Sequence, residues 1–170
     1  MIIIMAEPTL ASYEKVMIAD DDEPTRILLR TAISKWGYQV VEANDGEEAW
    51  RILQQPDSPK LLIVDWLMPE LDGLALCERI RQKLIFQPYI IFLTRLSGTP
   101  NILKGLEAGA DEFLIKPINY SELHIRLLAG EKIIKYRDII INQNKDIQTC
   151  LSYIKGLEFL LFDFLKGKKD

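Results

Sequence analysis

Between Lys15 and Ile118, short apolar runs alternate with longer segments in which apolar residues recur every three or four positions. The runs at 16–19, 38–42, 61–64, 89–93 and 112–115 are predicted strands, and most of them are apolar at consecutive positions. Continuous apolar strands are typical of a sheet covered on both faces. The alternation therefore predicts an α/β fold, in which a five-stranded parallel sheet lies between two layers of helices.

The segments between the runs predict helices at 24–36, 46–54, 73–83 and 100–108. Pro24 suits a first helical turn, and Gly37 and Gly109 suit left-handed caps at the ends of helices. Asn119 is placed to cap a fifth helix, with Glu122 three residues later as its partner. Nothing in the sequence marks where that fifth helix ends.

The region beyond Leu128 carries an apolar repeat of seven residues. Ile133, Ile140, Ile147, Ile154 and Leu161 are seven apart, and Tyr136, Gln143, Cys150, Leu157 and Phe164 follow them by three. This repeat indicates a coiled-coil seam, with Gln143 as a polar position that fixes register. A helix over 120–165 would extend about 69 Å, so we expect a homodimer through this C-terminal helix. The alternative is a broken helical hairpin that folds back, which Gly130 and Gly156 would permit.

Length and composition limit the other possibilities. A chain of 170 residues with 48% hydrophobic content can build one ordinary core. We therefore expect a flexible N-terminal segment at 1–14, a globular domain at 15–129 and a helical coiled-coil extension or linker at 130–170. A net charge of −4 gives no basic surface for direct nucleic-acid binding.

The two cysteines and the apolar segments indicate the cellular compartment of the chain. Cys77 and Cys150 have neither a disulfide nor a zinc spacing, so a reducing cytoplasm is expected. The apolar run at 1–5 is too short for a signal peptide, and no stretch is long enough to span a membrane. We expect a cytoplasmic protein with no membrane partner.

Acidic residues follow two of the predicted strands. Asp20, Asp21 and Asp22 come after the first strand, and Asp65 ends the third. Ligands bind beyond the carboxyl ends of the strands in an open parallel sheet, so these carboxylates should converge there. Clustered carboxylates repel one another unless a cation lies between them, and oxygen ligands select a hard ion such as Mg²⁺.

Two further residues would complete a phosphate site at the same edge. Thr94 ends the fourth strand with a hydroxyl, and Lys116 ends the fifth with a positive charge. Asp65 is then the best-placed nucleophile towards phosphorus. Each residue alone also has an ordinary explanation, as a solvated acidic loop, a strand threonine or a surface lysine. Their coincidence at the ends of four strands favours the site.

The motifs resemble the receiver domain of two-component response regulators over about Lys15 to Ala129. They are Val16-Met17-Ile18-Ala19-Asp20-Asp21-Asp22-Glu23-Pro24, Asp65-Trp66-Leu67-Met68-Pro69-Glu70-Leu71-Asp72-Gly73, Phe92-Leu93-Thr94, and Gly109-Ala110-Asp111-Glu112-Phe113-Leu114-Ile115-Lys116-Pro117. The resemblance implies a doubly wound, flavodoxin-like sheet with strand order 2-1-3-4-5. It also implies a phosphoacceptor without enzymatic turnover of its own beyond assisting its phosphorylation and dephosphorylation.

The resemblance also assigns roles at the site. Asp65 would accept a phosphoryl group from a sensor histidine kinase, a phosphotransfer protein or a small phosphodonor. Asp20, Asp21, Asp65 and the backbone carbonyl of Leu67 would hold Mg²⁺, which is the expected cofactor. Thr94 and Lys116 would bind the phosphoryl oxygens. Thr94 and an aromatic residue on the fifth strand, here Phe113, would form the switch.

One position departs from the family pattern, and two apolar residues bear on the lifetime of the phosphate. Arg95 follows the threonine where a small residue is usual, and it would either hinder access to the site or form an ion pair with a nearby acidic residue. Leu67 and Leu96 are apolar where polar groups could position an attacking water. These two leucines predict slow autodephosphorylation.

The sequence leaves more than one output for the switch. The last helix would transmit the change to a partner or output domain. Alternatively, the chain is the N-terminal regulatory fragment of a larger signalling enzyme, such as a diguanylate cyclase, a phosphatase or a kinase. A phosphatase of the haloacid-dehalogenase type also uses an aspartyl phosphate, but its motif needs an aspartate at the position of Leu67.

Overall fold

The computed structural model describes residues 15–95 and 99–166, with the side chains of 99–102 and 158–166 excepted. The segment 1–14, which was expected to be flexible, and Leu96 lie outside the described residues. Five strands form the sheet: β1 (Lys15–Ala19), β2 (Gln39–Ala43), β3 (Leu61–Asp65), β4 (Tyr89–Thr94) and β5 (Glu112–Ile115). Each lies within one residue of its predicted bounds.

The sheet is parallel throughout, with strand order β2-β1-β3-β4-β5. Five helices connect and follow the strands: α1 (Glu23–Lys35), α2 (Gly46–Leu53), α3 (Gly73–Lys83), α4 (Thr99–Glu107) and α5 (Tyr120–Lys166). The predicted fold class and strand order are confirmed. Because β1 lies between β2 and β3, the chain reverses direction across the sheet there, which opens a crevice at the carboxyl edge.

Alternate residues of each strand enter two separate cores. On β1, Met17 packs with Leu76 and Ile80 of α3, whereas Ile18 packs with Leu29 and Ile33 of α1. All six of these side chains are 0% exposed. Because side chains alternate between the faces of a strand, a doubly covered strand must be apolar at every position.

Short polar side chains and glycines terminate the helices. Asp22, Asp45 and Asp72 cap α1, α2 and α3, each accepting a hydrogen bond from a backbone N–H in the first turn. Gly37 and Gly109 have φ values of 94° and 99°, the left-handed conformation predicted for them.

The N-terminal part of α5 completes one face of the first compact unit. Asn119 Oδ1 accepts from the N–H groups of Ser121 and Glu122 at 3.0 and 3.2 Å, as expected for a cap. Leu123, Leu127 and Ile134 are buried against the sheet.

Gly130 and Gly156 both lie inside α5, which is one helix of 47 residues. The broken-hairpin alternative is therefore wrong. Gly130 is a close-packing position: a Cβ there would lie 2.5 Å from Tyr89 Cδ1 and 2.8 Å from Leu61 Cδ2.

The chain divides after Ile134 into two compact units, and the described residues of the second are the remainder of α5. In the part of the chain that the structure describes, no helix is long and apolar enough to cross a membrane.

Candidate functional site

Four neighbouring strands bring the predicted site residues to one edge of the sheet. Asp20 follows β1, Asp65 ends β3, Thr94 ends β4 and Lys116 follows β5. These strands are adjacent and parallel, so their carboxyl ends meet at the same crevice. The structure thus places together side chains that are up to 96 positions apart in the sequence.

Three carboxylates converge at this edge. One oxygen each from Asp20, Asp21 and Asp65 lies within 4.8 Å of the others. Asp20 is 0% exposed and Asp65 is 9% exposed, whereas Asp21 faces solvent. Such a cluster is unfavourable for free carboxylates, because each charge repels the others and burial removes hydration.

Lys116 supplies a positive charge in contact with two of these carboxylates. Its Nζ lies 2.9 Å from Asp20 Oδ2 and 3.1 Å from Asp65 Oδ1. Burial disfavours the ammonium charge, but the hydrogen bond to Asp20 and the charges of both carboxylates raise the pKa of Lys116. One lysine cannot neutralise three carboxylates, so the cluster keeps a negative charge.

The electrostatics of Asp65 follow from its position between Asp20 and Lys116. Burial, and then the charge of Asp20, raise the pKa of Asp65 above its usual range, while Lys116 and the Trp66 N–H oppose that shift. The Trp66 N–H donates to Asp65 Oδ1 at 3.0 Å. Trp66 N–H and Lys116 Nζ therefore both contact Oδ1 of the Asp65 carboxylate.

The donor set suits a hard divalent cation. Three carboxylates within reach of one point provide the oxygen ligands that Mg²⁺ selects. Asp22 is absent from the cluster because its carboxylate caps α1, accepting from the Thr25 N–H at 3.0 Å. The hydrogen bond from the Thr25 hydroxyl, and then the one from the Thr25 N–H, lower the pKa of Asp22.

Thr94 and Leu67 border this cluster on different elements. Thr94 is 2% exposed, and its carbonyl accepts from the Lys116 N–H at 2.8 Å, which ties the end of β4 to the start of the β5–α5 connection. Leu67, two residues after Asp65, has an apolar side chain that is 59% exposed.

The model of the response regulator receiver domain family matches residues 16–128, which is more than half of the chain. The chain belongs to the receiver domain family of response regulators. The match covers β1 to β5 and the first turns of α5, so every residue of the cluster lies within it.

Relatives and solved structures agree with this receiver assignment. A Guillardia theta protein described as "Probable transcriptional regulator ycf27" is 42% identical over 120 residues, which is 71% of this chain and 46% of that protein. The receiver domain of the Francisella response regulator 1452 superimposes with a TM-score of 0.66 at 34% identity, covering 70% of this chain and 97% of that one.

A second solved structure extends further than the matched region. A "probable two-component system response regulator/GGDEF domain protein" has a TM-score of 0.66 at 29% identity, over 71% of this chain and 50% of that one. This chain spans about half the length of the curated relatives it matches. Relatives in this set are described as transcriptional regulators, and each of these two is matched over less than half of its own length.

Phe113 of the receiver is half-buried in an aromatic cluster beneath the site. Its ring centroid lies 6.2 Å from that of Trp66 and 5.6 Å from that of Phe92. Gly105 of α4 packs on the same ring, because a Cβ at that position would lie 2.2 Å from Phe113 Cζ. Phe113 therefore links the residue after Asp65 to α4.

Arg95 lies at the mouth of the site and is exposed. It lines an open pocket together with Thr25, Leu28, Lys116, Pro117, Ile118 and Tyr120. The Arg95 charge is one of the smaller contributions that lower the pKa of Asp22.

Two residues that position the site were not singled out from the sequence. Arg26 of α1 is buried, and its Nη1 donates to the Asp20 carbonyl at 2.7 Å. Gly73 begins α3 against the acceptor strand, where a Cβ would lie 2.3 Å from the Asp65 carbonyl oxygen. A basic residue in an amphipathic helix and a glycine at a helix start are common, so neither carried a distinguishing signal.

Proposed function

We propose that this receiver accepts a phosphoryl group on Asp65 from a sensor histidine kinase or phosphotransfer protein. The observation that carries the proposal is the position of Asp65, which is 9% exposed, carries a carboxylate neighbour in Asp20 and lies 3.1 Å from Lys116 Nζ. A carboxylate placed in this way can act as a nucleophile while the lysine offsets charge on the incoming group.

In this reaction, one carboxylate oxygen of Asp65 forms a bond to phosphorus. The phosphorus–nitrogen bond of a donor phosphohistidine breaks, and the imidazole nitrogen keeps the electron pair. With acetyl phosphate as donor, the phosphorus–oxygen bond breaks instead and acetate leaves. Asp65 must be ionised to attack, so contact with Lys116 favours the reactive form.

Asp20, Asp21, Asp65 and the backbone carbonyl of Leu67 are the residues proposed to hold Mg²⁺. When bound, the ion would supply positive charge that balances the oxygens of the transferred group. Asp20 keeps its position through the contacts with Lys116 and Asp22 N–H, at 2.9 Å each.

Lys116 and Thr94 are proposed to bind the phosphoryl oxygens. Lys116 would exchange its contact with Asp65 Oδ1 for one with the new phosphate, whose greater charge makes it the stronger partner. The Thr94 hydroxyl would turn towards the same oxygens, and Phe113 would repack beside it. These movements would bias α4 and α5, and so transmit the change through the C-terminal helix.

The histidine donor must reach the site from its open side. Ile27 and Leu28 of α1 are 43% and 60% exposed, and Leu28 also lines the pocket beside Lys116. An apolar helix face next to the acceptor offers a docking surface for the helices of a donor protein. We propose that the donor covers this mouth while it delivers the phosphoryl group.

The match to the receiver domain family also supports a proposal for the domain limits and for the output of the switch. The receiver would extend over 15–129, and 130–170 would serve as a helical connection to a partner or output domain. The alternative, a regulatory fragment of a larger signalling enzyme, is supported by the similarity to the GGDEF-containing protein.

The proposal is tested by phosphorylation with a small donor. The full chain is incubated with acetyl phosphate and Mg²⁺, and intact mass is recorded for the wild type and for Asp65→Asn. We expect one phosphoryl adduct on the wild type and none on the variant. Asp57→Asn is the matched control, because Asp57 is a surface carboxylate that pairs with Lys15. An unchanged adduct on Asp65→Asn would refute the assignment.

A further inference from the structure

The second compact unit, from Lys135 onward, has an unusual surface for a helix. Every residue from 140 to 157 is exposed, including many large apolar ones. Ile140, Ile147, Ile154 and Leu157 are 56%, 54%, 52% and 66% exposed. An isolated helix with such a surface is at best marginally stable in water, because helices in proteins derive most of their stability from packing an apolar face.

Four of the exposed apolar residues follow a repeat of seven, whereas Ile141, Leu151 and Tyr153 are exposed beside it. We define the distal seam as Ile140, Gln143, Ile147, Cys150, Ile154 and Leu157. A repeat of seven keeps one narrow stripe facing a partner helix only if two helices supercoil around each other. The seam therefore points to a helical partner with the same period.

We propose that the distal seam pairs with the same seam of a second copy of this chain, as a parallel, in-register two-stranded coiled coil. A second copy has the matching length and period by construction. Isoleucine at the first core position favours two parallel strands where leucine occupies the second, as Ile154 and Leu157 do here. This inference does not depend on the chemistry of Asp65.

Gln143 argues for the parallel arrangement. In parallel register each core residue faces its own counterpart, so the two Gln143 amides can donate to and accept from each other. In an antiparallel pair, the first core position of one helix faces the second core position of the other. Each Gln143 amide would then be buried against an isoleucine and would have no hydrogen-bond partner. The parallel arrangement satisfies both amides.

The polar face of this helix disfavours a lipid surface as the occupant. Helices that lie on membranes usually carry a polar face rich in Lys and Arg. Here most of the polar positions away from the seam are uncharged: Asn142, Asn144, Gln148, Thr149 and Ser152.

The chain contains its own reporter for this arrangement. Cys150 lies in the seam and is exposed, whereas Cys77 is buried in the first unit. Burial raises the pKa of the Cys77 thiol to about 11, so Cys77 is poorly reactive at neutral pH. In a parallel, in-register pair the two Cys150 thiols face each other across the core.

The test combines sedimentation with thiol oxidation by diamide on the full chain. We expect a dimer that becomes disulfide-linked, keeps its cross-link in Cys77→Ser and loses it in Cys150→Ser. Ser152→Cys in the Cys150→Ser background is the matched control, because residue 152 lies on the opposite face and should not cross-link. Ile147→Asp should weaken the dimer by about 100-fold or more, since a buried unpaired charge costs several kcal/mol.

Urea unfolding of Ile147→Asp, followed by the fluorescence of the tryptophans in the first unit, verifies that the receiver remains folded in this variant. A monomer at every concentration would overturn the proposal, as would recovery of the chain with lipid vesicles in place of a dimer. A dimer in which Cys150 does not cross-link would overturn the parallel register. Cross-linking of Ser152→Cys as fast as Cys150 would overturn the assigned face.

Discussion

Charged side chains are usually exposed and apolar side chains usually buried, but two regions of this chain show the opposite. They are the carboxyl edge of the sheet and the distal seam of α5. At the edge, the charged Asp20 is 0% exposed, whereas in the seam the apolar Ile147 is 54% exposed. Charged groups are almost never fully buried unless paired, and extended apolar surfaces rarely remain in water. Each region therefore has an arrangement that a bound partner would stabilise.

The two regions need different kinds of partner. The edge has excess negative charge in a confined space, which a small hard cation and a phosphoryl group can compensate. The seam has apolar area spread along a helix, which only another extended surface can cover. The first region is suited to chemistry, and the second is suited to assembly.

The largest expected effect comes from comparing the same substitution, isoleucine to alanine, in the sheet and in the distal seam. Ile63→Ala removes a side chain that is 0% exposed and should destabilise the first unit by about 2–5 kcal/mol. Ile147→Ala should change that unit by less than about 0.5 kcal/mol, because its side chain is exposed. Urea unfolding followed by fluorescence measures this, since Trp36, Trp50 and Trp66 all lie in the first unit. Equal losses would place Ile147 in the core.

Addition of Mg²⁺ should stabilise the receiver by relieving repulsion at the edge. At about 100 times the dissociation constant, binding to the folded state adds about 2.7 kcal/mol. Asp21→Asn should remove most of this gain, because Asp21 is an exposed carboxylate of the cluster. Asp22→Asn should retain it, since asparagine caps a helix as well as aspartate does. Equal responses of the two variants in thermal unfolding would contradict the proposed ligand set.

The raised pKa of Asp65 predicts a pH dependence in metal-free buffer. The folded protein holds this proton more tightly than the unfolded chain, so the corresponding stability is present below the unfolded pKa, near 3.8, and is lost as pH rises through the folded pKa. Asp65→Asn cannot titrate there. The variant should therefore become progressively more stable than the wild type as pH rises above 3.8, with EDTA present. Urea unfolding at a series of pH values would show no such divergence if the pKa were unshifted.

The smallest expected effect concerns loss of the phosphoryl group. Leu67 is 59% exposed and cannot hydrogen-bond a water that attacks the phosphate. Leu67→Asn should speed autodephosphorylation several-fold, a change in barrier of less than about 1.4 kcal/mol. Leu67→Met is the control, since it keeps an apolar side chain of similar size. Equal phosphate lifetimes for both variants and the wild type, measured by intact mass over time, would refute the role given to Leu67.

The sequence predicts the elements well because local and global preferences agree. Strands that are apolar at every position require cover on both faces, and the two cores around Met17 and Ile18 provide it. The convergence of Asp20, Asp65 and Lys116 was predictable because parallel strands end at one edge.

Other features depend on distances that no local pattern encodes. Gly130 was interpreted as a weak point of α5, but it lets the helix approach Tyr89 and Leu61 of the sheet. The contact of Arg26 with the Asp20 carbonyl and the approach of Gly73 to the Asp65 carbonyl are likewise known only from the structure. Such contacts between elements far apart in sequence require the packed fold.

The most direct test of the account locates the phosphoryl group within the chain. After incubation with acetyl phosphate and Mg²⁺, borohydride reduction converts an aspartyl phosphate to homoserine, and peptide mass spectrometry identifies the converted residue. The account predicts homoserine at position 65, with Asp20 and Asp21 unchanged. Conversion at either of those carboxylates, or at none while the intact mass shows an adduct, would contradict it.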